Sequence, residues 1–189
     1  MMSAPNICAF GDSLTAGFGL LQTESLPGQL QNRLQARGYR VRIHNHGISG
    51  ETTGDGLLRI HQALRPRPDL VLLELGINDF LLGIPAGTIK TNLDQLIRAC
   101  LLTGATVLLA GFTAVPGMDP EESRAFNALY PDLAQGHDLT LFPDFLGPLL
   151  GDPDLTLPDG LHPNAQGIAN VVDRLEPVLI PLLNQKITP

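Results

Sequence analysis

Tryptophan is absent from this 189-residue chain, and tyrosine and cysteine occur twice each. So few stacking aromatics argue against a cleft built to grip sugar rings. Two cysteines do not make the disulfide framework of a secreted scaffold. Cys8 and Cys100 fall in a predicted core strand and an apolar helical stripe, where free thiols pack as small hydrophobes. Positive charge is scarce as well: 12 Lys and Arg stand against 19 Asp and Glu, a net charge of −7 without a basic cluster. That balance argues against nucleic acid or an anionic membrane surface as the main partner. No apolar run approaches the ~18 residues of a membrane span. Met1-Met2-Ser3-Ala4-Pro5 lacks the basic start of a signal peptide. As it begins, the sequence reads as cytoplasmic; a leader ahead of it would place the protein in the periplasm or outside the cell.

What is present describes a folded, soluble chain. Hydrophobic residues make up 43% and charged ones 16%, enough for one domain over 1–189 with a sizeable core. Short apolar runs alternate with helical stripes. Ile7 to Phe10 reads as a first strand. Ser25 caps a helix through Arg37, with Leu26, Leu30 and Leu34 on one face and Gly38 as its stop. Tyr39 to Asn45 reads as a strand, Thr53 to Leu64 as a helix, and Arg65-Pro66-Arg67-Pro68 as the break before a strand over Leu70–Leu75. Ile89, Leu93, Leu96, Ile97 and Cys100 form a stripe ended by Gly104, followed by a strand over Thr106–Ala110. Asp119-Pro120-Glu121-Glu122 opens a helix towards Gly136 that Pro131 should kink. Leu139 to Phe142 is a short strand. Pro163 to Leu183 is the last helix, with Ile168, Val171, Val172 and Leu175 inward and an end broken by Pro177 and Pro181. Strands apolar throughout, alternating with helices, predict a parallel sheet covered on both faces, a three-layer α/β/α sandwich.

Against that frame, Gly11-Asp12-Ser13-Leu14 follows the first strand directly, and Asp159-Gly160-Leu161-His162-Pro163 lies about 150 residues later. A serine hydroxyl is a poor nucleophile until an imidazole takes its proton, and a carboxylate must hold that imidazole in the right tautomer. Three residues of separation let the Asp159 carboxylate reach Nδ1 of His162 and leave Nε2 for Ser13. Asn45-His46-Gly47-Ile48-Ser49-Gly50 ends the second strand and Gly76-Ile77-Asn78-Asp79 ends the third. A glycine N–H and an asparagine amide there can donate to an oxyanion. In a parallel sheet the C-terminal strand ends form the ligand crevice, which puts Ser13, Gly47 and Asn78 on one rim.

These four motifs, in this order, resemble the SGNH (GDSL) hydrolase family over nearly the whole chain, most of all its small bacterial branch of thioesterases, lysophospholipases and arylesterases. The resemblance implies a five-stranded, flavodoxin-like parallel sheet of order 2-1-3-4-5. It also implies Ser13 as nucleophile, His162 and Asp159 as the rest of the triad, and Ser13 N–H, Gly47 and Asn78 as oxyanion donors. Ile77 departs from the glycine that several relatives carry. The second strand would then be an edge, which would explain Arg42, His44 and His46 in it.

Other readings of the same residues stand beside these. Ser13 could cap a turn, Asp159 and His162 could be turn residues before a helix capped by Asn164, and Asn78 could cap the segment after it. Asp12 and Asp79 read as loop-stabilising. Ser49 is the rival serine, and His44 with His46 could bind a metal but lack a third ligand; no cofactor or metal is expected. Phe80, Leu81, Leu82 and Ile84, with Phe112 and Pro116 beyond, could form an acyl-binding wall hinged at Gly83, or could pack under a helix. The expected function is a serine esterase or thioesterase acting on short- to medium-chain acyl esters, as a monomer or weak homodimer. A carbohydrate O-deacetylase and a catalytically idle acyl-binding domain are the alternatives.

Overall fold

The structure is a computed structural model that describes residues 4–115 and 117–187. β1 (Asn6–Gly11), β2 (Arg42–Gly47), β3 (Leu70–Glu74), β4 (Thr106–Ala110) and β5 (Thr140–Phe142) form one parallel sheet in the order 2-1-3-4-5. β1, β3 and β4 are apolar and almost wholly buried, whereas β2 at the edge is only partly covered and carries Arg42, His44 and His46. Among the described residues seven α-helices surround the sheet: α1 (Ser13–Ala16), α2 (Leu26–Ala36), α3 (Thr53–Ala63), α4 (Ile77–Leu81), α5 (Ala86–Leu101), α6 (Pro120–Gly136) and α7 (Ala165–Ile187). Right-handed crossovers decide the layers. The step from β1 out to β2 runs opposite to the steps from β2 to β3, β4 and β5. So α2 lies on one face with α7, and α3, α5 and α6 pack together on the other.

Local chemistry sets the helix boundaries. Ser25 Oγ accepts from Gly28 N–H, and Thr52 and Asp55 form a reciprocal capping box for α3. Asp119 accepts from the N–H groups of Glu121 and Glu122, with Pro120 at the first helical position. Asn164 Oδ1 accepts from Gln166 and Gly167 N–H at the start of α7. The inward stripe Ile168, Val171, Val172 and Leu175 is buried as its spacing predicts.

Three expectations need correction. β2 starts at Arg42 and reaches Gly47, later than the Tyr39–Asn45 expected, since Gly47 pairs with the end of β1 at Gly11. The prolines do not interrupt their helices: α6 runs through Pro131 and α7 through Pro177 and Pro181. Each proline removes one backbone hydrogen bond, but buried side chains on both sides (Phe126, Tyr130 and Leu133; Leu175, Leu179 and Leu183) hold the axis against the sheet. Finally, the oily segment after Asn78 begins as a helix, α4, with Ile77 and Phe80 in the core.

The register aligns Gly11 with both Gly47 and Glu74, and Glu74 with Ala110. The segments that follow β1, β2 and β3 therefore leave the sheet at one level. α1 approaches the end of β2 so closely that a Cβ at Gly47 would strike the backbone of Ala16. Gly47→Ala is expected to cost about 1–3 kcal/mol through overpacking. It should lower the thermal midpoint and kcat together, because the displaced helix carries Ser13. Full activity and an unchanged melt in this variant would show that the contact is not needed.

Candidate active site

Asp12 turns the chain out of β1. Its Oδ1 accepts from Leu14 N–H at 2.9 Å and so caps α1, and this places Ser13 at the helix start, 7% exposed. Ser13 Oγ lies 2.9 Å from His162 Nε2, and His162 Nδ1 lies 2.7 Å from Asp159 Oδ2. A carboxylate only accepts, so Nδ1 carries the proton and Nε2 is free to accept from Ser13. The dyad's loop is closed on itself. Asp159 Oδ1 accepts from the N–H groups of Leu161 and His162, Leu157 N–H donates to the His162 carbonyl at 2.7 Å, and Thr156 bridges Pro163. The Leu161 N–H bond first of all, then the bonds to His162, holds the Asp159 carboxyl down at about 2, so it is ionised throughout the working range.

Asn78 projects from the first turn of α4. Its Nδ2 donates to Asp12 Oδ2 at 3.0 Å and to the Glu51 carbonyl at 2.9 Å, which brings it onto the same rim as Ser13. Gly47 does not supply the free donor expected of it. Its N–H is held by Asn45 Oδ1 at 2.9 Å, and the need for glycine there is the close approach of α1. Along the rest of that loop, Ile48 N–H bonds the Gly11 carbonyl, Glu51 N–H the Ile48 carbonyl and Thr52 N–H the Asp55 carboxylate. Among the described residues, the N–H groups of Ser49 and Gly50 alone in this loop have no acceptor, and Gly50 adopts φ +84° in open space. The Ser49 side chain is exposed and bonded to no histidine among the described residues, so the rival serine lacks a base.

The expected apolar wall divides. Leu81 and Leu82 are exposed, at 41% and 70%, and Ile84 is half-buried. Phe80 and Phe112 are not available to a substrate. Phe80 stacks on Phe126 at 4.3 Å, and Phe112 packs edge-on to Tyr130 and against Phe145; both phenylalanines are buried. Pro116 lies outside the described residues. In their place the structure offers Phe18, whose ring sits 4.5 Å from that of His162. Neither spacing nor periodicity marked Phe18, because its neighbour His162 is distant in sequence. The crevice beside Ser13 and His162 is small, whereas a larger open hollow of about 940 Å3 lies at the far end of the sheet around Tyr39, Arg42 and Asp69. Chemistry locates the site here, since the larger hollow holds no nucleophile with a base.

Beneath the serine turn lies a set of buried acids. Glu74 is fully buried; its Oε2 accepts from Thr15 Oγ1 at 2.7 Å and from Asp12 N–H at 3.4 Å, and its Oε1 has no partner among the described residues. Burial, and then the neighbouring Asp12, push Glu74 well above the ordinary carboxyl range. Burial raises Asp12 to about 7 and raises Asp79 as well, although Asp79 accepts from both Thr53 N–H and Thr53 Oγ1. Arg59 ties the rim together from α3: it donates to the Gly11 and His46 carbonyls, pairs with Glu51 and lies over the Phe10 ring. The thiols of Cys8 and Cys100 are buried and pushed up to about 12, which rules them out as rival nucleophiles. No group of three His, Cys, Asp or Glu among the described residues could hold a metal ion, and the rings of His44 and His46 stand 6.4 Å apart on the edge strand. No helix among the described residues is long and apolar enough to cross a membrane.

This arrangement of fold and side chains defines a serine hydrolase of ester bonds. The profile of the GDSL-like Lipase/Acylhydrolase family matches residues 9–169. An arylesterase of Vibrio mimicus is 37% identical over 165 residues, 87% of this chain and 82% of that protein. Esterase TesA of Pseudomonas aeruginosa is 34% identical over 182 residues, 96% of this chain and 90% of that one. The psychrotrophic esterase EstA from Pseudoalteromonas sp., solved inhibited by monoethylphosphonate, is similar with a TM-score of 0.88 and 31% identity, over 95% of this chain and 98% of that chain. The chain belongs to the GDSL-like lipase/acylhydrolase family.

The buried acids give the fold a pH dependence. A carboxyl whose folded pKa is raised binds its proton more tightly in the folded state, so its contribution is complete below the unfolded value near 4 and is lost as pH rises through the folded one. For Asp12 that window closes at about 7. The thermal midpoint is therefore expected to fall between about pH 5 and pH 7. Glu74→Gln, which keeps an acceptor for Thr15 and cannot ionise, should make that fall shallower. An equally steep fall in the variant would show that Glu74 ionises as an ordinary carboxyl does.

Proposed function

We propose that this chain hydrolyses short- to medium-chain acyl esters or thioesters through an acyl-enzyme on Ser13, as arylesterases, thioesterases and lysophospholipases do. The observation that carries the reading is the pair of contacts from Ser13 Oγ to His162 Nε2, 2.9 Å, and from His162 Nδ1 to Asp159 Oδ2, 2.7 Å. Ser13 Oγ attacks the acyl carbon as Nε2 takes its proton, and Asp159 stabilises the imidazolium. His162 then protonates the departing alcohol or thiol. A water molecule gives its proton to Nε2, attacks the acyl carbon and releases the acid, and Ser13 recovers its proton. The oxyanion would be held by Ser13 N–H, by Asn78 Nδ2 and by an N–H of the Ser49–Gly50 turn, in place of Gly47. The acyl chain would lie along the open rim of Leu81, Leu82 and Ile84, with Phe18 covering the imidazole. Residues 1–189 act as one catalytic domain, a monomer or weak homodimer, of the cytoplasm as the sequence is given and of the periplasm or exterior where a leader precedes it, needing no metal and binding neither nucleic acid nor a membrane stably.

Ser13→Ala should fold and lose nearly all release of p-nitrophenol from a short ester, and a fluorophosphonate should label Ser13. A label on Ser49, or undiminished turnover without Ser13, would refute the assignment. Asn78→Ala should lower kcat by about 10²–10³, with a smaller change in KM. EDTA should leave the rate unchanged.

Chain length tests the substrate class. Each methylene laid on the rim contributes up to ~0.8 kcal/mol, so kcat/KM should climb from acetyl towards butyryl or hexanoyl esters and then level. Leu82→Ala should flatten the climb. A steady decline from acetyl upward, insensitive to that substitution, would favour a carbohydrate O-deacetylase instead.

A further inference from the structure

Asn78 has two amide hydrogens, and both are engaged: one by the Asp12 carboxylate at 3.0 Å and one by the Glu51 carbonyl at 2.9 Å. An oxyanion can recruit Asn78 only by displacing one acceptor. The two are not equal. Asp12 is completely buried, and stripping a partner from a buried carboxylate is costly. Glu51 is half-buried at the end of an exposed loop, and its own N–H bond to the Ile48 carbonyl is long, 3.3 Å. The Glu51 bond is the one that yields.

We infer that Asp12 is a positioning residue for the oxyanion site: its carboxylate is the fixed pivot of the Asn78 amide and keeps the other amide hydrogen available for the developing oxyanion. The inference rests on the reading of Asn78 as an oxyanion donor. Asp12 can do this because both its oxygens are committed. Oδ1 caps α1 through Leu14 N–H and Oδ2 holds Asn78, so one side chain sets nucleophile and oxyanion donor in a common frame. From beneath, Glu74 Oε2 accepts the Asp12 N–H.

The pivot works best as an anion, since a charged acceptor binds the amide more strongly and a protonated one surrenders a lone pair. The groups facing Asp12 decide when it is charged. Glu74 from β3, Asp79 from α4, Glu51 from the loop before α3 and the Tyr130 hydroxyl from α6 are acidic. Ser13, bonded in turn to His162, is polar, and Arg59 is paired with Glu51. With burial dominant, Asp12 ionises at about 7. The acid limb of the activity profile then contains the ionisation of Asp12.

Asp12→Asn and Asp12→Ser test this. Serine can still cap α1 but is too short to reach Asn78. Both variants are expected to keep the fold by thermal melting and to lower kcat about 10- to 100-fold, with KM changed less than about threefold, a pattern of lost transition-state binding. In an Asn78→Ala background either substitution should add less than about threefold, because the pivot has nothing left to hold. The acid limb of log kcat/KM should be shallower in Asp12→Asn than in the parent. Full kcat in Asp12→Ser, a loss that multiplies fully onto Asn78→Ala, or an unchanged slope would each overturn the proposal. An Asn78→Ala variant with unimpaired kcat would instead refute the oxyanion reading beneath it.

Discussion

The buried carboxyl of Glu74 is the point on which the catalytic rim depends. It ends β3 directly beside Gly11, where a Cβ on that glycine would collide with Thr15 and with Glu74 itself. The turn out of β1 is drawn down onto the carboxyl, which accepts from Asp12 N–H and Thr15 Oγ1. Burial and the neighbouring Asp12 disfavour the charge there and push the carboxyl well above its ordinary range. The chain thus accepts a buried acid in order to hold a four-residue helix at one height above the sheet.

From that anchor the site is assembled by hydrogen bonds between segments remote in sequence. Asp12 joins the nucleophile turn to α4 through Asn78, Asp79 joins α4 to α3 through Thr53, and Arg59 joins α3 back to the ends of β1 and β2. Each link passes through a group largely withheld from water, where a hydrogen bond is stronger and its loss more costly. The catalytic dyad differs. Its loop is braced by its own backbone bonds, and Asp159 is substantially exposed, so its orientation comes from local turn geometry rather than burial.

The substrate side is open. The large exposed apolar residues Phe18, Leu21, Ile48, Leu81 and Leu82 come from the segments that follow β1, β2 and β3. α4 is pinned by Ile77 and Phe80, so the rim it presents is set by the core. Such a surface suits a flexible acyl chain lying across it, with affinity proportional to the apolar area it covers.

Much of this was legible in the residues alone. The α/β/α layering follows from apolar strands alternating with amphipathic helices, and the caps at Ser25, Thr52, Asp119 and Asn164 act within a turn of where they stand. The partnership of Asp159 with His162 is likewise a matter of three residues on one loop. Whatever depended on distant neighbours was not legible. Phe80 and Phe112 read as wall residues until Phe126, Tyr130 and Phe145 covered them, and Gly47 read as a donor until Asn45 and α1 took its N–H and its space. Prolines that should break a helix are overridden by packing on both sides. The sequence determined which groups are chemically able to act, because composition and local spacing fix their kind. The tertiary structure decided which of them are free to act, because burial and hydrogen-bond partners are shared out among segments that only the fold brings together.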